Sequence, residues 1–414
     1  MHWPVRGRSP SLAVSVSGIT SCTRLPSLVR VGPSTSEVEM KTKAAILNAP
    51  GGKWEIEEVE LGDPVAGEVQ VRLAASGLCH SDEHLVTGST PVASYPVLGG
   101  HEGAGVVTKV GPGVTGLQEG DHVVLAFIPA CGVCGPCSTG LQNLCDMGAN
   151  LLTGQAIADG THRVHRGDDP VVPMCLLGTF APYVTVHEAS VVKIEKDIPL
   201  DKAALLGCGV STGWGSATEI GGTRPGDTVV VMGVGGVGIN AVQGAAAAGA
   251  RQVIAVDPVE FKRQKAMEMG ATHTFASMAE AAAALPDLTW GKLADLVVIT
   301  VGVIAGEHIQ EALDCTAKGG TTVVTGMGNF MDNDVKLNLF SFTLLQKRLQ
   351  GAIFGGTSPR TQIPKLLHLY RSGQLKLDEL VTTTYRLEDI NQGYADMAAG
   401  TNLRGVVLYD DADH

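Results

Sequence analysis

Four cysteines fall within the stretch CGVCGPCSTGLQNLC, at Cys131, Cys134, Cys137 and Cys145. Thiols spaced C-x2-C-x2-C-x7-C can form a disulfide staple, an iron–sulfur cluster or a metal lobe. Bacterial ferredoxins share the first three positions but continue x3-C-P, which would put cysteine where Leu141 stands. Disulfides do not persist in a reducing compartment, and neighbours three apart bridge poorly. Four thiolates with no open position make a closed tetrahedral zinc site, structural in role. A sparser set holds different chemistry: Cys79 in GLCHSDEH, His101 and Glu102 in GGHEGAG, and Cys208 in LLGCGVSTGWG. Two thiols and an imidazole are the ligand types of a catalytic zinc whose fourth position takes water or substrate. Taken singly, each is equally at home in a protein core.

A third group of residues speaks for a dinucleotide. In DTVVVMGVGGVGINAVQG, Gly233, Gly235 and Gly238 form G-x-G-x-x-G between a strand and a helix, with Gly236 and Val237 inside the turn. The first glycine permits a tight turn, the second lets a pyrophosphate approach, and the third lets helix pack on strand. The helix N-terminus adds free N–H groups and partial positive charge. RQVIAVD then ends the next strand on Asp257, 19 residues past Gly238. A carboxylate there accepts hydrogen bonds from the adenosine ribose and repels a 2′-phosphate, which favours NAD. Lys262 and Arg263 lie close enough to blur that preference.

These residues need elements to hold them. KTKAAILNA, GEVQVRLAASGL, AGVVTKVGPGV and GDHVVLAFIP alternate or run apolar with glycine punctuation, so residues 40–209 read as mainly β. From residue 210, short Val/Ile-rich runs such as RQVIAVD and ADLVVITV alternate with helical stretches, which predicts an α/β unit with a parallel sheet over 210–353. Residues 354–414 return to mixed texture and end on the strand-like LRGVVLYD. A chain of 414 residues suggests two domains. A net charge of −12 argues against a nucleic-acid partner. No apolar run reaches the roughly 18 residues needed to span a bilayer, so no membrane partner is expected. Nine cysteines without a secretory signal predict a reduced, cytoplasmic protein. Residues 1–39, rich in Ser, Pro and Arg, read as a disordered leader or an early start, with Met40 as the real beginning.

GHEGAGVVTKVGPGV reads G-H-E-x2-G-x5-G-x2-V, and this resembles the signature of the medium-chain, zinc-dependent alcohol dehydrogenases. The cysteine lobe, the GVGGVG turn and GCGVSTGWG follow in that family's order, from Met40 onward. The resemblance implies a GroES-like β domain, a Rossmann domain and a C-terminal return to the first. It implies that Cys79, His101 and Cys208 hold catalytic zinc, with Glu102 behind it and Asp82 orienting His101. Ser81 would take the alcohol proton, and His84 would carry it to solvent. His80 and Arg404 would flank the pyrophosphate, Lys262 would contact the cofactor, Thr212 would pack on the nicotinamide, and Phe127 would line the substrate pocket. Zinc would polarise a small-molecule alcohol or aldehyde while NAD exchanges hydride with it.

Within the family, the uninterrupted TGQAIADGTHRV insertion is similar to the class III-like group, which includes the glutathione-dependent formaldehyde dehydrogenases. Those enzymes carry an arginine where this chain has Ala149, which speaks against oxidation of a thiol adduct. CHSDEHLVTG, AFIPACG, NLCDMGANLL and AVDPVEFKR resemble instead the actinobacterial enzymes that retain their nicotinamide, reoxidised by a redox carrier such as a nitrosoaniline or mycofactocin. The family's members are dimers or tetramers, and the class III-like insertion points to a homodimer. Zinc-free relatives of this fold, quinone reductases and nucleotide-binding proteins, would lack the cysteine lobe and the three ligands.

Overall fold

Val, Ile and Ala crowd TVVVM, QVIAV and ADLVVI, and each segment becomes a strand that is almost wholly buried. Strands covered on both faces belong to parallel sheets. The computed structural model describes residues 40–414, so the expectation for residues 1–39 lies outside the described residues. The parallel sheet runs in the order His273–Phe275, Gln252–Val256, Thr228–Met232, Ala294–Ile299, Thr316–Val324, Arg348–Gly351. Val230 sits opposite Ile254 on one side and Val297 on the other. Chain order therefore reverses on either side of Thr228–Met232, and such a switch point opens a crevice at the strands' carboxyl ends.

Strand Glu68–Gly77 organises the β-rich part. It pairs antiparallel with Gly103–Val110, Tyr183–His187 and Arg404–Leu408. The strand Arg404–Leu408 thus comes back from the far side of the parallel sheet, with Val406 opposite Gly77, and also pairs in parallel with Val381–Tyr385. A separate sheet carries Met40–Leu47 against Trp54–Leu61. One apolar cluster joins the two parts, taking Val124 and Leu205 from one, Val229 and Val298 from the other, and Phe354 and Val406 from the returning segment. Each such side chain contributes about 1.5–3 kcal/mol when fully buried. Among the described residues, no helix is long and apolar enough to cross a membrane.

Candidate active site

Gly77 ends its strand where no side chain would fit: a Cβ there would lie against the Glu102 carboxylate and 3.1 Å from the Arg404 guanidinium. Two residues on, Cys79 caps the helix His80–Thr87. Asp82 in its first turn has no exposed surface. Its Oδ1 accepts the Gly100 N–H at 2.8 Å, and its carboxylate faces His101 Nδ1 at 3.3 Å. That contact turns His101 Nε2 inward, where it has no hydrogen-bond partner among the described residues. Cys208 arrives from the other direction as the cap of the helix Gly209–Gly215. The donor atoms of Cys79, His101, Glu102 and Cys208 lie within 4.8 Å of one another, and all four residues are buried.

The electrostatics fit a cation. Hydrogen bonding from Cys208, with His101 and Arg404 in support, holds the Cys79 thiol well below its usual range despite burial. The Cys208 thiol is pushed up in consequence. Burial works against charge on His101, but Asp82 and Cys79 together keep its affinity for a proton high. Two sulfurs and a partnerless imidazole nitrogen, converging in a buried cage, are a zinc donor set whose protons a metal displaces. Glu102 stands behind: Oε1 accepts the Gly209 N–H at 2.9 Å, and Oε2 forms a buried ion pair with Arg404. Burial raises Glu102 to about 7, against the pull of Arg404.

The second cluster is also complete. Cys131, Cys134, Cys137 and Cys145 bring their sulfurs within 4.8 Å. The Cys131–Cys137 and Cys134–Cys145 separations are 3.9 and 3.8 Å. A tetrahedron of about 2.3 Å zinc–sulfur bonds has edges of about 3.8 Å. Backbone N–H groups of Val133 and Cys134 point at Cys131 Sγ from 3.4 and 3.3 Å, as suits a thiolate. These bonds outweigh burial and lower Cys131 to about 6.

A crevice of about 660 Å³ runs from Cys79 and His80, past Gly235 and Arg404, to Asp257 and Lys262. Gly233 turns at φ 87°, and a Cβ on Gly238 would lie 1.9 Å from the Gly233 carbonyl oxygen. The glycines at 233 and 238 therefore have separate reasons, conformation and close packing. Gly235 faces open space, and the Gly236 position abuts the Arg404 side chain. Arg404 donates to the Leu78 carbonyl at 3.2 Å, while its buried Nε has no partner among the described residues. Asp257 accepts N–H bonds from Val234 and Val259 at 3.0 and 2.9 Å. Arg263 turns to the Asp257 and Pro258 carbonyls at 2.7 and 2.9 Å, which leaves Lys262 as the basic neighbour lining the crevice.

Thr212 is buried on the helix behind Cys208, its hydroxyl without a partner among the described residues. Phe127 stands edge-on to His101 at 5.8 Å between ring centroids. Ser81 Oγ lies 3.7 Å from Cys79 Sγ. The expectation that His84 reaches solvent does not hold, because the residue is 4% exposed. Positions 80 and 84 share a helix face, and that face packs toward the loop at Gly302, where a Cβ would lie 2.8 Å from His80 Nε2. The His84 and His80 rings meet edge-to-face at 5.2 Å, and burial lowers the proton affinity of His84. Among the described residues, no hydrogen bond joins Ser81 to His84. One residue absent from the sequence reading is Tyr394, whose buried hydroxyl donates to the Cys79 carbonyl at 3.4 Å from 315 residues away. No local spacing signals it.

A Rossmann crevice that ends on a buried Cys–His–Cys cage defines a metal-assisted, nucleotide-dependent dehydrogenase. Comparison with known families agrees: residues 65–196 match the alcohol dehydrogenase GroES-like domain, and residues 236–372 match the zinc-binding dehydrogenase domain. The chain is 53% identical to the NDMA-dependent alcohol dehydrogenase of Amycolatopsis methanolica, over 89% of this chain and 99% of that one. It is also 53% identical to alcohol dehydrogenase B of Mycobacterium tuberculosis, over 90% and 100%. Identity to the S-(hydroxymethyl)glutathione dehydrogenase of Paracoccus denitrificans is 35%, over 89% and 100%. A crystal structure of an alcohol dehydrogenase zinc-binding domain protein from Burkholderia ambifaria superposes with a TM-score of 0.84 at 34% identity, covering 90% of this chain and all of the other. The chain belongs to the zinc-dependent alcohol dehydrogenases, an NAD-type oxidoreductase family with the medium-chain fold.

Proposed function

We propose that this chain oxidises a small primary alcohol, or reduces the matching aldehyde, at the cage of Cys79, His101 and Cys208, with a structural zinc held by Cys131, Cys134, Cys137 and Cys145. The supporting observation is that a buried two-sulfur, one-nitrogen cage opens onto the nucleotide crevice at Cys79. When bound, zinc supplies a Lewis acid for the substrate oxygen and NAD takes up hydride. Asp82 keeps His101 Nε2 facing the sulfurs, the partner such a ligand needs. Glu102 and Arg404 neutralise each other beside the cage, and Arg404 keeps Nε for an anion near Gly236. Phe127 excludes water from one wall. Ser81 accepts the alcohol proton. His84, buried and weakly basic, takes the proton onward through a group that bridges the gap between Ser81 and its ring.

Similarity to an enzyme named for NDMA supports a nicotinamide that stays bound and is reoxidised by an external carrier. Ala149 and the lower identity to the glutathione-linked relative disfavour the formaldehyde reading. A homodimer is supported by the exposed apolar residues Leu339, Phe340 and Leu344, on the helix Leu339–Leu344 that precedes the edge strand Arg348–Gly351 of the parallel sheet. Exposed sheet edges and large apolar patches call for a covering surface, and a second copy supplies one with two-fold symmetry. The eight described cysteines are all free, which suits a cytoplasmic protein. The test is to purify the protein, record its absorbance for bound nicotinamide, and assay primary alcohols with free NAD or with a nitrosoaniline acceptor. Copurified nucleotide and turnover without added NAD are expected. Turnover that depends on added NAD, with no copurified nucleotide, overturns retention while keeping the dehydrogenase.

A further inference from the structure

The four-cysteine lobe reaches beyond its own thiols. Asn143, two residues before Cys145, is 6% exposed, and its Nδ2 donates to the Ile353 carbonyl at 3.1 Å across 210 residues of sequence. Its Oδ1 has no partner among the described residues. A buried amide that spends its donor on a backbone carbonyl from a distant segment ties the two segments together. Beside it, Gln142 Oε1 accepts the Ser358 hydroxyl. Two successive lobe residues thus hold the two ends of segment 353–358.

That segment is strained and sits against the site. Phe354, Gly355 and Gly356 adopt φ values of 50°, 62° and 72° in succession. Glycine takes the left-handed region freely, whereas phenylalanine does so at a cost. Phe354 is fully buried and meets Phe127 at 5.6 Å, and Phe127 in turn stands edge-on to His101. Gly355 lies against the helix behind Cys208: a Cβ there would fall 2.6 Å from Gly215 Cα and 2.9 Å from the Thr212 carbonyl oxygen.

We infer that Asn143 and Gln142 are positioning residues through which the metal lobe clasps the 353–358 turn, setting Phe354 and Phe127 beside His101 and so the width of the substrate pocket. This rests on the reading of Phe127 as one wall of the substrate site in the proposed function. Without the clasp, the left-handed turn relaxes away from Phe127 and the pocket admits larger groups.

Asn143→Ala and the milder Gln142→Ala, made in the full chain, test this. Each is checked for two zinc per chain. The ratio of kcat/KM for benzyl alcohol to that for ethanol should rise roughly fivefold, the factor carried by one ordinary hydrogen bond. A second reading does not need turnover: alkylation of Cys79 and Cys208 by a benzylmaleimide, relative to iodoacetamide, should accelerate by a similar factor in the zinc-loaded protein. Unchanged ratios in a zinc-replete variant overturn the clasp. If Asn143→Ala loses lobe zinc, Gln142→Ala decides by the same ratios. A wild-type chain that turns over no alcohol refutes the functional reading alone, and the alkylation ratio still judges the clasp.

Discussion

Glu102 shows how tightly charge is balanced at single side chains. A carboxylate with no exposed surface lies between a guanidinium and two thiols, so removing any one partner leaves the others uncompensated. Cys208→Ala is expected to lower zinc from two to about one per chain and to abolish turnover. Thermal unfolding should show the protein still folded, since Cys208 is a small part of its core. Tyr394→Phe removes only the hydroxyl that meets the Cys79 carbonyl. It should cost about 1 kcal/mol of stability and let a chelator strip one zinc several-fold faster than from wild type. Unchanged metal release would remove Tyr394 from the site. Asp257→Ala should raise the NADP-to-NAD ratio among bound nucleotides at least roughly tenfold, because the carboxylate is what repels a 2′-phosphate. Nucleotide analysis of the reconstituted protein reads this directly.

At the scale of elements, the glycine turn between Met232 and Gly238 admits almost no alternative. Gly238→Val would drive a side chain into the Gly233 carbonyl, and the expected result is a chain that still binds zinc but no nucleotide. The loop 151–163 depends instead on charge. Arg163 pairs with the buried Glu68 at 2.7 Å and with Asp159 at 2.8 Å. Burial pulls Asp159 one way, but Arg163 and Thr161 lower its pKa overall. A lowered carboxylate gives stability that is present above its ordinary pKa of about 3.9 and is lost as pH falls. Proteolytic cutting of this loop should therefore rise below about pH 4 in wild type, and at neutral pH in Arg163→Met. Such pairings explain what sequence could and could not convey. The cysteine spacing, the glycine turn and the Val/Ile strands are each local patterns within some twenty residues. Asn143 on Ile353, Tyr394 on Cys79, and the burial of His84 under the Gly302 loop are made by chain segments hundreds of residues apart. Side-chain type alone carries no trace of them.

At the scale of the whole molecule, the helix Leu339–Leu344 before Arg348–Gly351 presents large apolar side chains to solvent. Leu339 and Phe340 are 68% and 77% exposed. If the proposed homodimer forms through this face, Phe340→Asp should convert a dimer to a monomer in sedimentation or light scattering; a wild-type monomer overturns the dimer, and an unchanged dimer mass overturns this face. The returning strand Arg404–Leu408 has a different consequence, one of timing. It lies between Glu68–Gly77, which leads into Cys79, and the edge strand Val381–Tyr385, and it carries the guanidinium that balances Glu102. A ribosome makes Cys79 roughly 325 residues before Arg404, a lag on the order of tens of seconds at ~5–20 residues per second. For the last ~200 residues of that interval the nascent chain has both cage thiols but no closing strand behind them. The last strand to close behind the cage is thus among the last parts of the chain to be made.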